Sequence, residues 1–404
     1  MAPIYEYEAV NRSGEKVAGR IEVERESMVA KQLKNNGYFV ASIKEVKEGS
    51  TDIGEYFAKR KKVTTQALTI FSHQFAAMID AGISLVEALS ILYEETEHLK
   101  LKEIIRNIQE DIETGSSLFE ALQKHPETFP PLFCQLVRAG EAGGVLDRVL
   151  NQLAAHYERQ GEINNRIKSA IRYPAIVVSV AVLVVIFLLV VVVPTFVNMF
   201  AELGGDLPGP TKILIGTSEF LKGYWWVLLL VIIALLGFLK IFRSTPEGEY
   251  KIDNMLLRIP VIGNMIKKIA ISRFSSTLAI LLGSGVDLLS SLEIVEEVVG
   301  NRVYSSVLVD TRGQIREGVN LSRPLGDSPY FPSMVTQMVK IGEESGNLEL
   351  MLNKITTFYN REVENAIDAS IGLIEPAMIV FLSVVVGFIV LSIVMPMFTM
   401  MSLF

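Results

Sequence analysis

The side chains best suited to catalysis or metal binding are few in this sequence. The four histidines are scattered, at His73, His98, His125 and His156. Cys134 is the single cysteine and can form neither an intramolecular disulfide nor a multi-cysteine metal site. No phosphate-binding G-x-x-x-x-G-K-[ST] loop, G-x-S-x-G turn or H-E-x-x-H helix motif occurs. The sequence therefore predicts no catalytic residues, no cofactor and no metal, and we expect that the protein is not an enzyme.

The most specific polar feature is a glycine–glutamate pair that occurs twice, each time with the same following glycine. The residues are Gly140, Glu141 and Gly144 in one place and Gly342, Glu343 and Gly346 in the other. Two interpretations are open. In the first, Gly140 and Gly342 end helices in the left-handed conformation, and the acid lies near the N-terminus of the next helix. In the second, the carboxylates form a docking surface for a partner.

The two pairs belong to a long internal repeat. Phe71-Ser72 recurs as Phe274-Ser275, and Phe129-Pro130 recurs as Phe331-Pro332. The spacing between matching residues changes only from 203 to 202 along the repeat, so one small insertion separates two copies of the same sequence. Each copy consists of a polar region followed by an apolar run.

The apolar spacing within each copy is that of helices. Gly82 suits the left-handed position after a helix, and Ser84 suits the start of the next helix. Ser117 has the same role further along the chain. Asp287 and Asn320 stand at the two serine positions in the second copy, and both residue types are good N-caps. We therefore expect each copy to fold as a bundle of about six short helices.

Three apolar runs are long enough to cross a membrane, whose hydrocarbon core needs about 20 helical residues. Hydrophobic residues make up 50% of the chain, and the mean hydropathy is +0.36. The excess of hydrophobic residues is concentrated in these runs. We predict transmembrane helices at residues 173–197, 223–242 and 374–398, with a short loop outside the membrane at residues 198–222.

Five residues mark the expected membrane boundaries. Pro174 and Pro194 of the first run match Pro376 and Pro396 of the third. Proline at the end of a span costs little, whereas inside a span it kinks the helix. Glu375 is the only acid directly beside a run, and we expect it at the level of the lipid headgroups. The alternative is contact with a neighbouring membrane helix.

Flanking charge predicts the orientation of the chain in the membrane. Basic residues dominate before the first span and after the second, so we expect the N-terminus and both copies in the cytoplasm. Three spans then place the C-terminus outside, together with the loop at residues 198–222. The formal net charge of -7 gives no basic surface for nucleic acid, and we expect no nucleic-acid partner.

The predicted fold is a mainly α-helical, polytopic membrane protein with two repeated cytoplasmic six-helix bundles and a small N-terminal module. In the module, alternating residues predict two strands, a helix from Ser27 to Asn36, and a third strand. The predicted divisions outside the membrane are an N-terminal ββαβ module at 1–48, a linker at 49–62, and helical bundles at 63–170 and 266–372.

These features resemble the PilC/GspF family of bacterial platform proteins over nearly the whole chain. The shared features are the N-terminal module, the paired domains with Phe-Pro and Gly-Glu-x-x-Gly motifs, Tyr173-Pro174 before the first span, and Pro396 in the third. Residues 204–208 and 224–226 are more similar to the type IV pilus branch than to the type II secretion branch. A secretion platform is the alternative.

The resemblance implies a non-enzymatic, multi-pass protein of the bacterial inner membrane. It implies that the cytoplasmic bundles couple to a hexameric assembly ATPase, and that the part in the lipid bilayer receives pilin or pseudopilin subunits for a growing fibre. Other inner-membrane assembly proteins and further copies of this chain are the remaining expected partners. A small-molecule transporter is a distant alternative, because spans without internal charge offer no substrate path.

Overall fold

The computed structural model describes residues 4–10, 16–23, 28–29, 33–34, 39–46, 62–195 and 209–401. The chain begins with the strands β1 (Ile4–Val10), β2 (Lys16–Glu22) and β3 (Phe39–Val46), which form an antiparallel sheet in the order β2-β1-β3. Tyr5 and Ala9 of β1 are buried together, as alternation along a strand requires. The predicted helix from Ser27 to Asn36 and the linker at 49–62 lie largely outside the described residues, so the ββαβ order stays a prediction.

The first copy forms six helices. They are α1 (Thr65–Asp80), α2 (Leu85–Glu95), α3 (Leu99–Glu113), α4 (Leu118–Gln123), α5 (Pro131–Gly143) and α6 (Leu146–Phe187). The predicted caps of α2 and α4 are confirmed. The Ser84 hydroxyl accepts a hydrogen bond from the Glu87 amide at 3.4 Å, and Ser117 forms a capping box with Glu120. Gly82 follows α1 with a φ of +79°, which its lack of a side chain permits.

The second copy repeats this order after two connecting helices. The helices are α7 (Gly209–Arg243), α8 (Pro246–Arg258), α9 (Ile262–Gly283), α10 (Leu288–Val298), α11 (Arg302–Arg316), α12 (Ser322–Asp327), α13 (Ser333–Ser345) and α14 (Leu348–Met401). Asp287 caps α10, as predicted. The prediction that Asn320 caps α12 is wrong. The residue before that helix is Leu321, and a carboxylate from another helix binds the first amides instead.

The aromatic residues that identify the repeat lie in the cores of the bundles. The ring of Phe71 packs against those of Phe129 and Phe133, with centroids 5.6 and 6.4 Å apart. In the second copy, the rings of Phe274 and Phe331 lie 5.2 Å apart. Buried residues of both copies form one continuous apolar cluster. The two bundles are therefore packed directly against each other.

The last helix of each copy continues without a break into a membrane span. The helix α6 passes through a π-helical turn at Leu188–Val192, and the segments Leu146–Thr195 and Leu348–Met395 are each long and apolar enough to cross a membrane. A 50-residue helix is about 75 Å long. We call residues 146–172 the first stem and residues 348–373 the second stem. The change from bundle to span is one of composition within a single helix.

The third candidate span is Lys222–Arg243, within α7. Part of the predicted outside loop at 198–222 is helical, because α7 already begins at Gly209 and bends at Tyr224, where φ is -123° and ψ is 18°. The apolar side chain of Leu214 explains this helix, since it is buried in a cluster with residues of the first and third spans. This packing could not be predicted from the sequence, because glycine, proline and charged residues flank the segment.

Candidate functional site

The carboxylate of Glu141 closes the N-terminus of a helix that precedes it in the chain. Its two oxygens accept hydrogen bonds from the amides of Leu118 and Phe119, at 2.7 and 3.0 Å. Both amides belong to the first turn of α4, which has no internal acceptor for them. The negative charge also lies at the positive end of the helix dipole. The glutamate of α5 therefore joins α5 to α4.

The carboxylate of Glu343 makes the same two contacts in the second copy. It accepts hydrogen bonds from the amides of Leu321 and Ser322, at 2.5 and 2.9 Å, at the start of α12. The sequence pattern correctly indicated a glutamate beside a helix N-terminus. The helix is the preceding one, about 22 residues upstream in the chain, and not the following one as predicted.

Gly144 and Gly346 are the residues that end α5 and α13. Their φ angles are +67° and +71°, in the left-handed region that favours glycine. The amide of Val145 bonds to the carbonyl of Gly140 at 2.9 Å, which completes a Schellman motif. The prediction that Gly140 and Gly342 hold these left-handed positions is therefore wrong, because both lie one turn earlier, inside the helices.

Gly140 and Gly342 are instead positions of close helix approach. A Cβ atom on Gly140 would lie 3.2 Å from the backbone Cα of Leu146, at the start of α6. The corresponding distance in the second copy is 2.9 Å, from Gly342 to the Cα of Leu348. These contacts are tighter than side chains tolerate without a shift of backbone. Glycine therefore sets the approach of each stem to the preceding helix.

The geometry of both glycine–glutamate pairs is that of a helix junction. Each carboxylate is half-buried, and each oxygen is engaged by a backbone amide of the same chain. The alternative role as a docking surface stays a prediction.

Four of the five predicted membrane-boundary residues lie within long helices. Pro174 is inside α6, and Glu375, Pro376 and Pro396 are inside α14. The Glu375 side chain is exposed, and its place at the headgroup level stays a prediction.

Pro194 lies two residues after the end of the π-helical turn Leu188–Val192, which follows α6. Because proline has no amide hydrogen, it leaves a carbonyl of the preceding turn without its helical donor. The hydroxyl of Ser218, in the first part of α7, donates to the carbonyl of Leu189 at 2.5 Å. An unsatisfied carbonyl is costly in an apolar environment. The side chain from α7 thus compensates for the proline in the first span.

The third span has an equivalent arrangement. Pro396 cannot donate to the carbonyl of Ser392, which lies four residues earlier in α14. The buried hydroxyl of Thr211 donates to that carbonyl at 2.7 Å. The first part of α7 therefore bonds to both spans where their prolines interrupt the backbone hydrogen bonds. These two contacts were not predicted, because they join residues that are far apart in the sequence.

The two stems are joined by an ion cluster. Arg159 of the first stem binds Glu364 of the second, and Arg166 lies 3.1 Å from the same carboxylate. The hydrogen bond from Arg159 lowers the pKa of Glu364 below its ordinary value, and Arg166 adds to this effect. The cluster ties the first copy to the second close to the membrane.

A cavity of about 310 Å³ lies between the stems and α9. His156 of the first stem is buried beside it, and desolvation lowers the pKa of His156 to about 4, with a smaller contribution from the charge of Arg273. This histidine is therefore neutral at pH 7. Over the described ranges, no group of three or more His, Cys, Asp or Glu residues could hold a metal ion.

This arrangement defines a class of protein: a polytopic membrane protein with a duplicated helical bundle whose copies both continue into the membrane. The family model for type II secretion system protein F matches residues 71–194 and again residues 274–396. The model for the N-terminal domain of the same protein matches residues 1–44. The chain belongs to this family, which confirms the resemblance seen in the sequence.

Relatives from both branches of the family cover nearly the whole chain. The type IV pilus assembly protein PilC of Thermus thermophilus is 41% identical over 98% of this chain and 98% of its own length. PilC of Myxococcus xanthus is 37% identical over 98% of this chain and 94% of its own length. The type II secretion system protein F of Aeromonas hydrophila is 33% identical over 91% of this chain and 95% of its own length.

Proposed function

We propose that this chain is a non-enzymatic inner-membrane platform for the assembly of a type IV pilus. The observation that carries the proposal is the continuity of the two stems with their spans. A continuous helix is stiff, whereas a break or a loop between bundle and span would absorb displacement. Each bundle is thus connected to the membrane in a way suited to transmitting motion.

In the proposed mechanism, the cytoplasmic bundles couple to a hexameric assembly ATPase. Displacement of the bundles passes along the stems into the membrane, where pilin subunits are lifted from the bilayer into the fibre. The ion cluster of Arg159, Arg166 and Glu364 keeps the stems together during this motion. No bond is made or broken by this chain, so its contribution is positional.

The proposed membrane partners follow from uncovered apolar surface. In the most apolar 18-residue stretch of each candidate span, no residue of the second span is buried, and 11% of the residues of the first and third spans are buried. Apolar helices in a bilayer are covered by lipid or by other helices. We assign this surface to lipid, pilin or pseudopilin subunits, other inner-membrane assembly proteins and further copies of this chain.

A platform for type II secretion is the second candidate function. It is supported by the name of the matching family and by the 33% identity to an Aeromonas hydrophila secretion protein. The pilus branch is favoured because the relatives at 41% and 37% identity are pilus assembly proteins.

The proposed orientation puts the N-terminus and both bundles in the cytoplasm and the C-terminus outside. Reporter fusions should read cytoplasmic at residue 60 and near residue 310, and outside near residue 208 and after residue 404. An outside signal near residue 310 would contradict this orientation.

Deletion of the gene tests the function itself. We expect loss of surface fibres with normal secretion of folded exoproteins, and no ATP hydrolysis by the purified chain. Loss of secretion with intact fibres would favour the second candidate. ATP hydrolysis that co-purifies with the chain through successive columns would contradict the non-enzymatic role.

A further inference from the structure

The two copies within the chain are joined through unlike surfaces. The first copy contributes one side of its stem, and the second copy contributes one side of α9 together with its own stem. The side-chain oxygen of Gln152 accepts a hydrogen bond from the Ser284 hydroxyl at 3.1 Å, and Arg159 binds Glu364. Helix α5 also lies against α9 and α10, whereas its equivalent α13 makes no comparable contact with α1 or α2 among the described residues. The contact is therefore head-to-tail and not two-fold.

In a head-to-tail contact, each copy uses one surface and keeps the complementary surface free. The free surface of the second copy is the side of its stem that corresponds to the contact side of the first stem. We call it the stem face, and its exposed residues are Lys354, Thr357, Phe358 and Arg361. A groove of about 370 Å³ lies along it. The second stem thus has an unused copy of the surface with which the first stem binds.

The free surface of the first copy is the side of α1 that corresponds to the contact side of α9. We call it the α1 face, and its exposed residues are Gln66, Ile70, His73, Ala77 and Ala81. The repeat equivalents on α9 are all half-buried, and they are Ile269, Arg273, Ser276, Ile280 and Ser284. The α1 face therefore lacks the cover that α9 receives from the first stem.

The centres of the two free faces are apolar. Within the chain, His156 and Arg273 line the same cavity between the copies. Their repeat equivalents are Phe358 on the stem face and Ile70 on the α1 face, which are 46% and 51% exposed. Contact between these two side chains would remove apolar surface from water. The polar pair within the chain thus corresponds to a complementary apolar pair between the free faces.

The first pair of charges on the free faces repeats the ion cluster of the stems. The equivalent of Arg159 is Arg361, and the equivalent of Glu364 is Glu162. Arg361 is exposed and has no ion-pair partner among the described residues. Glu364 binds both Arg159 and Arg166, whereas Glu162 binds Arg159 alone. The carboxylate of Glu162 can therefore accept a second arginine.

A second pair of charges lies at the other end of the faces. Gln152, which bonds to Ser284, has Lys354 as its repeat equivalent. The equivalent of Ser284 is Ala81, and Asp80 directly precedes it. Both Lys354 and Asp80 are exposed and unpaired in the described part of the chain. The free faces thus have opposite charges at matching positions, which favours correct pairing.

We propose that the stem face of one chain binds the α1 face of a second chain. The contacting pairs, with one residue from each chain, are Phe358 with Ile70, Arg361 with Glu162, and Lys354 with Asp80. The contact repeats between chains the arrangement that joins the copies within each chain. In the proposed orientation both bundles lie on one side of the membrane, so repetition keeps all chains in one plane and closes a ring. Only the closure of the ring depends on that orientation.

Site-directed cross-linking between chains tests this contact. Ile70→Cys and Phe358→Cys are placed in separate, differently tagged full-length chains that are co-expressed, so neither chain carries both new thiols. Cys134 is buried and is left in place. With a short bis-maleimide on isolated membranes, we expect cross-links between the two unlike chains and only background between like chains.

A matched control and a charge reversal sharpen the test. Val309 is 45% exposed on the second copy but lies outside the stem face, so Val309→Cys with Ile70→Cys should give only background. Lys354→Asp in the Phe358→Cys chain, or Asp80→Lys in the Ile70→Cys chain, should each lower the yield toward that background. The two reversals together should restore the yield, because the charges are again opposite. Restoration also shows that neither reversal unfolds the chain.

Two outcomes would overturn the proposal. A yield for Ile70→Cys with Phe358→Cys no higher than that of the Val309→Cys control would mean that the faces do not meet. Cross-links mainly between two Phe358→Cys chains would indicate a two-fold contact through the second stems. These measurements involve neither fibres nor secretion, so the contact and the proposed platform role can fail separately.

Discussion

The glutamates at the two helix junctions make the same contacts, but the helices that they cap are closed differently. In the first copy, Ser117 and Glu120 form a capping box beside the contacts of Glu141. In the second copy, Leu321 precedes α12 and no side chain of that segment caps it. The repeat has therefore kept the long-range cap in both copies and the local cap in only one. The comparison suggests that the glutamate is the essential part of the junction.

The stems differ in the same way, with shared architecture and different local chemistry. His156 of the first stem is buried between the two copies, whereas its repeat equivalent Phe358 lies on the second stem and is 46% exposed. At this position the first stem is thus covered by the second copy, while the equivalent position of the second stem is exposed. The duplicated halves are related in sequence but not in environment.

The largest expected effect concerns His156 and pH. Its pKa falls from 6.5 to about 4 on burial, so the unfolded chain binds the proton more strongly. The contribution of neutral His156 to the free energy of unfolding is fully present above pH 6.5. It is lost as the pH falls toward 4, by on the order of 3 kcal/mol. Thermal unfolding of the detergent-solubilised protein across this range should show the loss. His156→Gln should flatten the profile, and His73→Gln, at an exposed position, should not.

The second prediction concerns the close approach of the stems. Gly342→Ala should destabilise by about 1–3 kcal/mol through overpacking, because its Cβ would lie 2.9 Å from backbone. Gly140→Ala should cost less, since the equivalent distance is 3.2 Å. Gly161→Ala is the control, because a Cβ there has its nearest neighbour at 3.8 Å. The melting temperature should therefore be lowest for Gly342→Ala, higher for Gly140→Ala and highest for Gly161→Ala. Equal losses at all three glycines would refute close packing as the cause.

The third prediction separates the two glutamates. Glutamine can accept from one amide but turns a donor toward the other, so each substitution should cost about 1 kcal/mol. Glu343→Gln should cost more than Glu141→Gln, because only α4 keeps a local capping box. Fibre assembly should follow stability in both variants. Normal accumulation without fibres would instead support the docking role.

The smallest expected effect concerns the hydroxyls that bond to the proline-containing spans. Ser218→Ala and Thr211→Val should each cost about 0.6 kcal/mol and at most about 1.7 kcal/mol, the range found for hydrogen bonds between membrane helices. Ser179→Ala is the control, since that hydroxyl bonds within its own helix. The measurement is again the melting temperature. A larger loss at Ser179 than at Ser218 would argue against the compensating role.

Much of the fold could be predicted because its signals are local. The left-handed glycine Gly82, the cap at Ser84 and the three apolar runs each depend on neighbours in the sequence. The position of Gly140 could not be predicted, because left-handed backbone and close packing both select glycine, and Gly144 stands only four residues away. The acceptor role of Glu141 toward α4 depends on a contact between helices, for which a single sequence contains no signal.

The central claim is that the stems transmit motion from the bundles to the membrane. Residues 167–170 lie at the end of the first stem and can be replaced by four glycines or by four alanines without a change of length. Each glycine lowers helix stability by about 1 kcal/mol relative to alanine, so only the first variant softens the stem. With equal amounts of both variants in the membrane, surface fibres should be lost in the glycine variant and kept in the alanine variant. Wild-type numbers of fibres in the glycine variant would contradict the account.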